Sequence, residues 1–130
     1  MKRRYAYFIS LFLLFGLFGF NANLMAENEP AGKWKFTAPD APYGYDKGII
    51  EISKDGDELK ATISFTGMDY RFDLEKVKYE EGRISFNLFL DGEDILVWLT
   101  FSEEDKIAGK AIYSQGEIQL FANRMKEDEQ

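Results

Sequence analysis

The stretch that decides the fold is Arg83–Leu90, "RISFNLFL". Ile84, Phe86, Leu88 and Leu90 alternate with Arg83, Ser85, Asn87 and Phe89. An apolar residue at every second position puts all of them on one face of an extended chain, whereas a helix would scatter them round its circumference. The same period governs Leu59–Phe65, "LKATISF", where Leu59, Ala61, Ile63 and Phe65 alternate with Lys60, Thr62 and Ser64. Between Trp34 and Arg124 no segment of helical length carries an apolar stripe.

Short turn signals separate these runs. "KDGD" at 54–57, "TGMD" at 66–69, "EEG" at 80–82, "DGED" at 91–94, "SEED" at 102–105 and "SQG" at 114–116 supply the Gly, Asp and Ser that tight reversals need. Eight strands follow, over 33–37, 48–53, 59–65, 70–79, 83–90, 94–101, 106–114 and 117–124. In the fourth, the inward set Tyr70, Phe72 and Leu74 changes parity to Val77 and Tyr79, which predicts a bulge near Glu75 and Lys76. Eight short antiparallel strands joined by hairpins read as an all-β, up-and-down meander. Rolling it into a barrel removes the exposed edges, and a two-layer sandwich is the alternative.

The first 26 residues differ from the rest. Lys2, Arg3 and Arg4 precede an apolar run, Phe8–Phe20, broken only by Ser10, and "NANLMA" ends on the small residue Ala26. That is the grammar of a cleavable signal peptide, residues 1–26, and it predicts export to the periplasm or beyond the cell. At about 13 residues the run is short of the roughly 20 a spanning helix needs. Of the chain's 130 residues, 104 then remain, with 13 of its 16 basic side chains against all 23 acidic ones, a formal charge of −10. A field of that sign disfavours nucleic acid and anionic membranes and suits a neutral ligand or a basic partner. One domain, 27–124, with an acidic, disordered tail at 125–130, is the expected organisation.

The chain has neither histidine nor cysteine, which removes imidazole acid–base catalysis, Ser-His-Asp and Cys-His systems, disulfides and the usual zinc or copper sites. "DGED" and "KDGD" do not continue into a twelve-residue calcium loop, and hairpin turns account for them. Carboxylates fall in turns or on polar strand faces, so no catalytic residue, cofactor or metal site is assigned.

An even number of strands brings the start of the first and the end of the last to the same end of a barrel. Trp34 should then meet Arg124, its indole across the closed end and the guanidinium on its face, with Gly32 giving the backbone freedom for a tight start to the strand. Gly32-Lys33-Trp34, the closing Arg124 and the pattern "FSEEDKIAGKAIYSQGEIQLFANR" resemble the calycin superfamily of lipocalin-like barrels, in particular the short exported calycin-like domains of bacteria. The chain after the signal is shorter than a typical lipocalin and has no long helix after its last strand, which argues against a large cavity.

By the same parity the Pro-rich loop Ala38–Lys47 and the turns at 66–69, 91–94 and 114–116 crown the open end. The resemblance implies that this loop borders the ligand entrance, with Tyr43, Tyr45, Met68 and Tyr70 as contact residues; alternatively both loop tyrosines fold down as a lid. "DILVWLTF", 94–101, is apolar on both faces. If Ile95, Val97, Leu99 and Phe101 fill the interior, Leu96 and Trp98 face outward with Phe89 and Phe121 as a contact surface; otherwise they pack under the tail, or the parity of this strand is reversed. Two functions follow: a barrel binding a small apolar or amphipathic ligand at its open end, or one plugged by Phe36, Phe65, Phe72, Phe86 and Tyr113 that acts on another protein through its outer face or loops.

Overall fold

The computed structural model describes residues 28–126. The segment expected to be a signal peptide, 1–26, lies outside them with residue 27, as do tail residues 127–130. Nine antiparallel strands form a single sheet: β1 (Gly32–Thr37), β2 (Lys47–Asp55), β3 (Glu58–Phe65), β4 (Arg71–Asp73), β5 (Glu75–Glu80), β6 (Arg83–Leu90), β7 (Glu93–Glu103), β8 (Lys106–Tyr113) and β9 (Gly116–Arg124). Their lateral order is β4-β3-β2-β1-β9-β8-β7-β6-β5. The sheet curls into a nearly closed barrel, not a sandwich.

The eight-strand expectation is corrected at one place. The segment 70–79 is two strands because it changes partner midway: β4 pairs with β3 through Thr62↔Asp73 to Ser64↔Arg71, and β5 pairs with β6 through Lys78↔Ser85 to Glu80↔Arg83. Leu74 bridges them, its N–H donating to the Ala61 carbonyl at 2.9 Å. Lys76 follows with a left-handed φ of 54°, and the β5–β6 register slips between Glu75 and Lys78. Phe72, Leu74, Val77 and Tyr79 all reach the core despite the parity change, whereas Tyr70 does not. Because the ninth strand arises from a break and not from an added hairpin, strand direction elsewhere is as eight strands would have it.

The seam therefore lies between the halves of that broken strand, while the first and last strands are hydrogen-bonded. Trp34 stands opposite Arg124 and Phe36 opposite Ala122. Met125, placed in the tail by the sequence, extends this ladder by donating its N–H to Lys33 O at 2.8 Å. At the seam β4 is only three residues long, and Glu75, Lys76, Lys78 and Glu80 are exposed along β5. Short, charged edges of this kind resist pairing with another chain.

Every buried side chain among the described residues is apolar. One interior row shows how the rings fit. Phe36, Gly48 and Phe65 are successive cross-strand partners. With no side chain at Gly48 the two rings meet edge to face at 5.9 Å. A Cβ there would sit 2.7 Å from Phe36 Cε1 and 2.0 Å from Ser64 O.

Candidate functional site

The two ends of the barrel are built differently. At the lower end Trp34 is fully buried, its Nε1–H donates to Pro30 O at 2.9 Å, and Phe101 meets it edge-on at 5.8 Å. The Arg124 guanidinium carbon lies 4.3 Å from the indole centre. Its nitrogens donate to Ala31 O (2.8 Å), Glu29 O (2.6 Å) and the Asp105 carboxylate (2.9 Å). Thus one side chain ties the segment before β1 to the β7–β8 turn. Gly32, with φ at 139°, has a second reason to be glycine: its Cβ would lie 2.8 Å from Arg124 Nη1. Glu29 accepts from the Ala31 N–H and pairs with Lys54, and the Ala31 bond, then Lys54, hold its carboxyl below the usual glutamate value.

The upper end carries the β1–β2 loop and the turns after β3, β6 and β8. Ala38 and Asp46 close the β1–β2 loop at 2.8 Å, with inner turns from Ala41 N–H to Ala38 O and from Tyr45 N–H to Pro42 O. These bonds fold Tyr45 inward against Phe65, ring centres 5.1 Å apart, and its hydroxyl donates to Asp91 Oδ2 at 3.1 Å. The bond to Asp91 raises the Tyr45 phenol above its ordinary value, aided by lost hydration. Asp91 and Gly92 both take left-handed φ (52° and 80°), the two-residue reversal that joins β6 to β7 without splaying them. Glu93 accepts from Ser114 Oγ and Ser114 N–H, tying this turn to the one after β8.

Beneath these loops is an apolar cavity of about 150 Å³. Phe36, Phe65, Leu88, Ala111 and Leu120 form its floor and walls, and Tyr45, Asp91, Glu93 and Tyr113 its rim. The four contact residues expected at this end separate. Tyr45 lines the cavity and Met68 packs on the core, whereas Tyr43 is fully exposed and Tyr70 projects outward, meeting Phe72 edge-on at 5.0 Å. Tyr43 misses because its loop turns at Pro42 and Gly44 (φ 95°), so the neighbouring tyrosine folds in; Tyr70 misses because β4 begins one residue later. Of the expected plugs, Phe36, Phe65 and Phe86 are buried, Phe72 is half-buried, and Tyr113 stands at the rim. Ala41, Pro42 and Glu93 were not singled out from the sequence, since only the closed loop brings them over the hole.

On the outer wall Leu96 (42% exposed) stands directly opposite Ile112 (38%), which sequence reasoning missed. Phe89 (64%) is diagonal to Leu96, and Trp98 lies two residues further along β7. Trp98 is half-covered by Arg83, whose guanidinium carbon is 4.4 Å from the ring centre. Phe121 does not join this group: β8 intervenes, and Lys110 and Gln119 occupy the intervening row. Among the described residues no three His, Cys, Asp or Glu side chains are grouped so as to hold a metal ion.

No protein-family model and no curated protein matches the chain. Among solved structures it is similar to one described as a redesigned beta barrel, with a TM-score of 0.56 and 14% identity over 74% of this chain and 91% of that one. At that identity the likeness concerns the fold alone, a nearly closed antiparallel barrel.

Proposed function

We propose that this protein is an exported, non-enzymatic calycin-like barrel that binds one end of a small apolar or amphipathic ligand in its open mouth. The observation that carries this reading is the apolar cavity of about 150 Å³ under the Tyr45 loop. Pockets that enclose whole ligands run to roughly 300–1,000 Å³. A hole of this size instead accepts one aromatic ring or a short alkyl end, as an engineered apolar cavity of about 150 Å³ in another protein takes benzene. The rest of the ligand would lie among the loops. Titration with 1-octanol, followed by NMR shifts, should perturb Ala111, Leu88 and Ile63 selectively. Ala111→Leu, which fills the hole from β8, should abolish those shifts while leaving the barrel folded. Shifts scattered over the surface, or an Ala111→Leu protein that binds as before, would refute the reading.

A second reading has its own observation in the exposed Leu96–Ile112 pair with Phe89 beside it, which suits a protein partner. Native mass spectrometry of protein purified from its own host separates the two readings: a retained small molecule supports the first, a retained second chain the other.

A further inference from the structure

The rim of the cavity is chemically one-sided. Seventeen residues line the hole, and the charged ones among them are Asp91 and Glu93; no Lys or Arg is present. Each of these carboxylates already accepts a hydrogen bond, but from neutral donors, the Tyr45 hydroxyl and Ser114. Among the described residues neither is paired with a cation. The other segments at this end add to the field: Asp40 and Asp46 on the β1–β2 loop, Asp69 after β3, and Asp94 at the start of β7, against Lys47. Arg71, next along on β4, is turned toward Glu51, 3.4 Å away.

Two requirements therefore meet in one ligand. Its buried end must be apolar and no bulkier than the hole, and the group left at the rim must tolerate, or compensate, two uncompensated negative charges beside low-dielectric walls. A carboxylate or phosphate head would face like charge there, and an alcohol would be indifferent. An ammonium would gain a charge-assisted contact. We infer that the mouth selects cationic amphiphiles, with an alkyl end or a single ring in the cavity and an amine head held between Asp91 and Glu93. This rests on the proposed binding role of the cavity; the carboxylates decide only which head group it accepts.

The test uses three probes of equal chain length at pH 7, octylammonium, 1-octanol and octanoate, titrated into the purified protein by calorimetry and NMR. Octylammonium should bind at least about tenfold more tightly than octanoate, the scale of one charge-assisted contact, with octanol between them. Added salt should narrow that spread. Asp91→Asn combined with Glu93→Gln should bring octylammonium down to the octanol level. Asparagine tolerates the left-handed backbone at 91 and both replacements still accept their hydrogen bonds, so the loops keep their ties. Asp55→Asn, at the end of β2 on the opposite side of the barrel, should leave the order of the three probes unchanged. If octanoate matches or exceeds octylammonium, the head-group inference is overturned while the cavity reading stands. If none of the three perturbs the lining residues, the binding role itself is wrong.

Discussion

Arg124 and Arg83 provide a controlled comparison, because both lay a guanidinium on a tryptophan at nearly the same distance, 4.3 and 4.4 Å. Of the two, among the described residues, only Arg124 also donates hydrogen bonds, to two backbone carbonyls at 2.8 and 2.6 Å, to a third, Glu104 O, at 3.5 Å, and to Asp105. Replacing Arg83 by Ala should remove a half-exposed cation–π contact, about 0.5–1 kcal/mol. For Arg124→Ala the corresponding contact lies over a fully buried indole and is set at about 1 kcal/mol. The two charged donors to carbonyls add about 1 kcal/mol each after allowance for their exposure. The Asp105 pair, with the carboxylate largely in solvent, adds about 0.5 kcal/mol. The sum is about 3–4 kcal/mol, or some 12–16 °C in melting temperature at roughly 4 °C per kcal/mol for a domain of this length, against about 2–4 °C for Arg83→Ala. Thermal unfolding followed by circular dichroism and calorimetry reads both, and Arg124→Lys, which keeps the charge but not the fork, should fall between Arg124→Ala and the parent. Equal shifts for the two alanine variants, or an unchanged Arg124→Lys protein, would show that the hydrogen-bonded fork contributes nothing to closing the lower end.

Gly48→Ala should destabilise the barrel by at least about 1–3 kcal/mol, since its Cβ meets backbone as well as the Phe36 ring; chemical unfolding measures it, and a neutral result would mean the Phe36–Gly48–Phe65 row is looser than its geometry. Tyr45→Phe should loosen the mouth, seen as faster hydrogen exchange in the Ala38–Asp46 segment with β1 and β9 unchanged. The same bond gives a pH signature. The native state holds the Tyr45 proton more tightly than the unfolded chain does, so its stabilisation is fully present below the ordinary tyrosine value of about 10 and is lost as pH rises through the raised native value. Tyr45→Phe should therefore show a smaller loss of melting temperature between pH 9 and 11.5 than the parent; identical profiles would remove the Asp91 bond from the account.

Strand positions were legible because each depends on nearest-neighbour alternation, and β6 begins and ends at the residues its pattern names, Arg83 and Leu90. The pairing of Trp34 with Arg124 was legible because it needs only strand parity. The division of 70–79 was legible as a change of register but not as a change of partner. A one-dimensional pattern shows which face a side chain takes and says nothing about which neighbour receives the backbone bonds. The mouth was harder still. Whether Tyr43 or Tyr45 covers the cavity depends on loop hydrogen bonds among Ala38, Ala41, Pro42 and Asp46, none of which has a periodic signature. Ile112 escaped for a similar reason: it follows Ala111, which occupies the interior position, and its exposure matters only because Leu96 lies across from it.

The unequal stitching of the two ends bears on where this barrel can yield. Below, one arginine with three well-formed hydrogen bonds joins the segment before β1 to the β7–β8 turn across a buried indole, so opening there exposes an aromatic core and strands a cation's partners at once. Above, the ties are one phenol and one serine to two carboxylates, each exposed to water that can replace the lost bond. The Tyr45 ring buries part of its area against Phe65, but lifting it uncovers a hole instead of breaking the interior rows beneath. Local opening costs least where exposed hydrogen bonds hold a segment, and the side-chain bond that holds the Ala38–Asp46 loop over the cavity, Tyr45 to Asp91, is exposed. On the proposed binding role, a ligand end entering the mouth would therefore need only to displace the Tyr45 ring, while the closed end keeps the register of every strand.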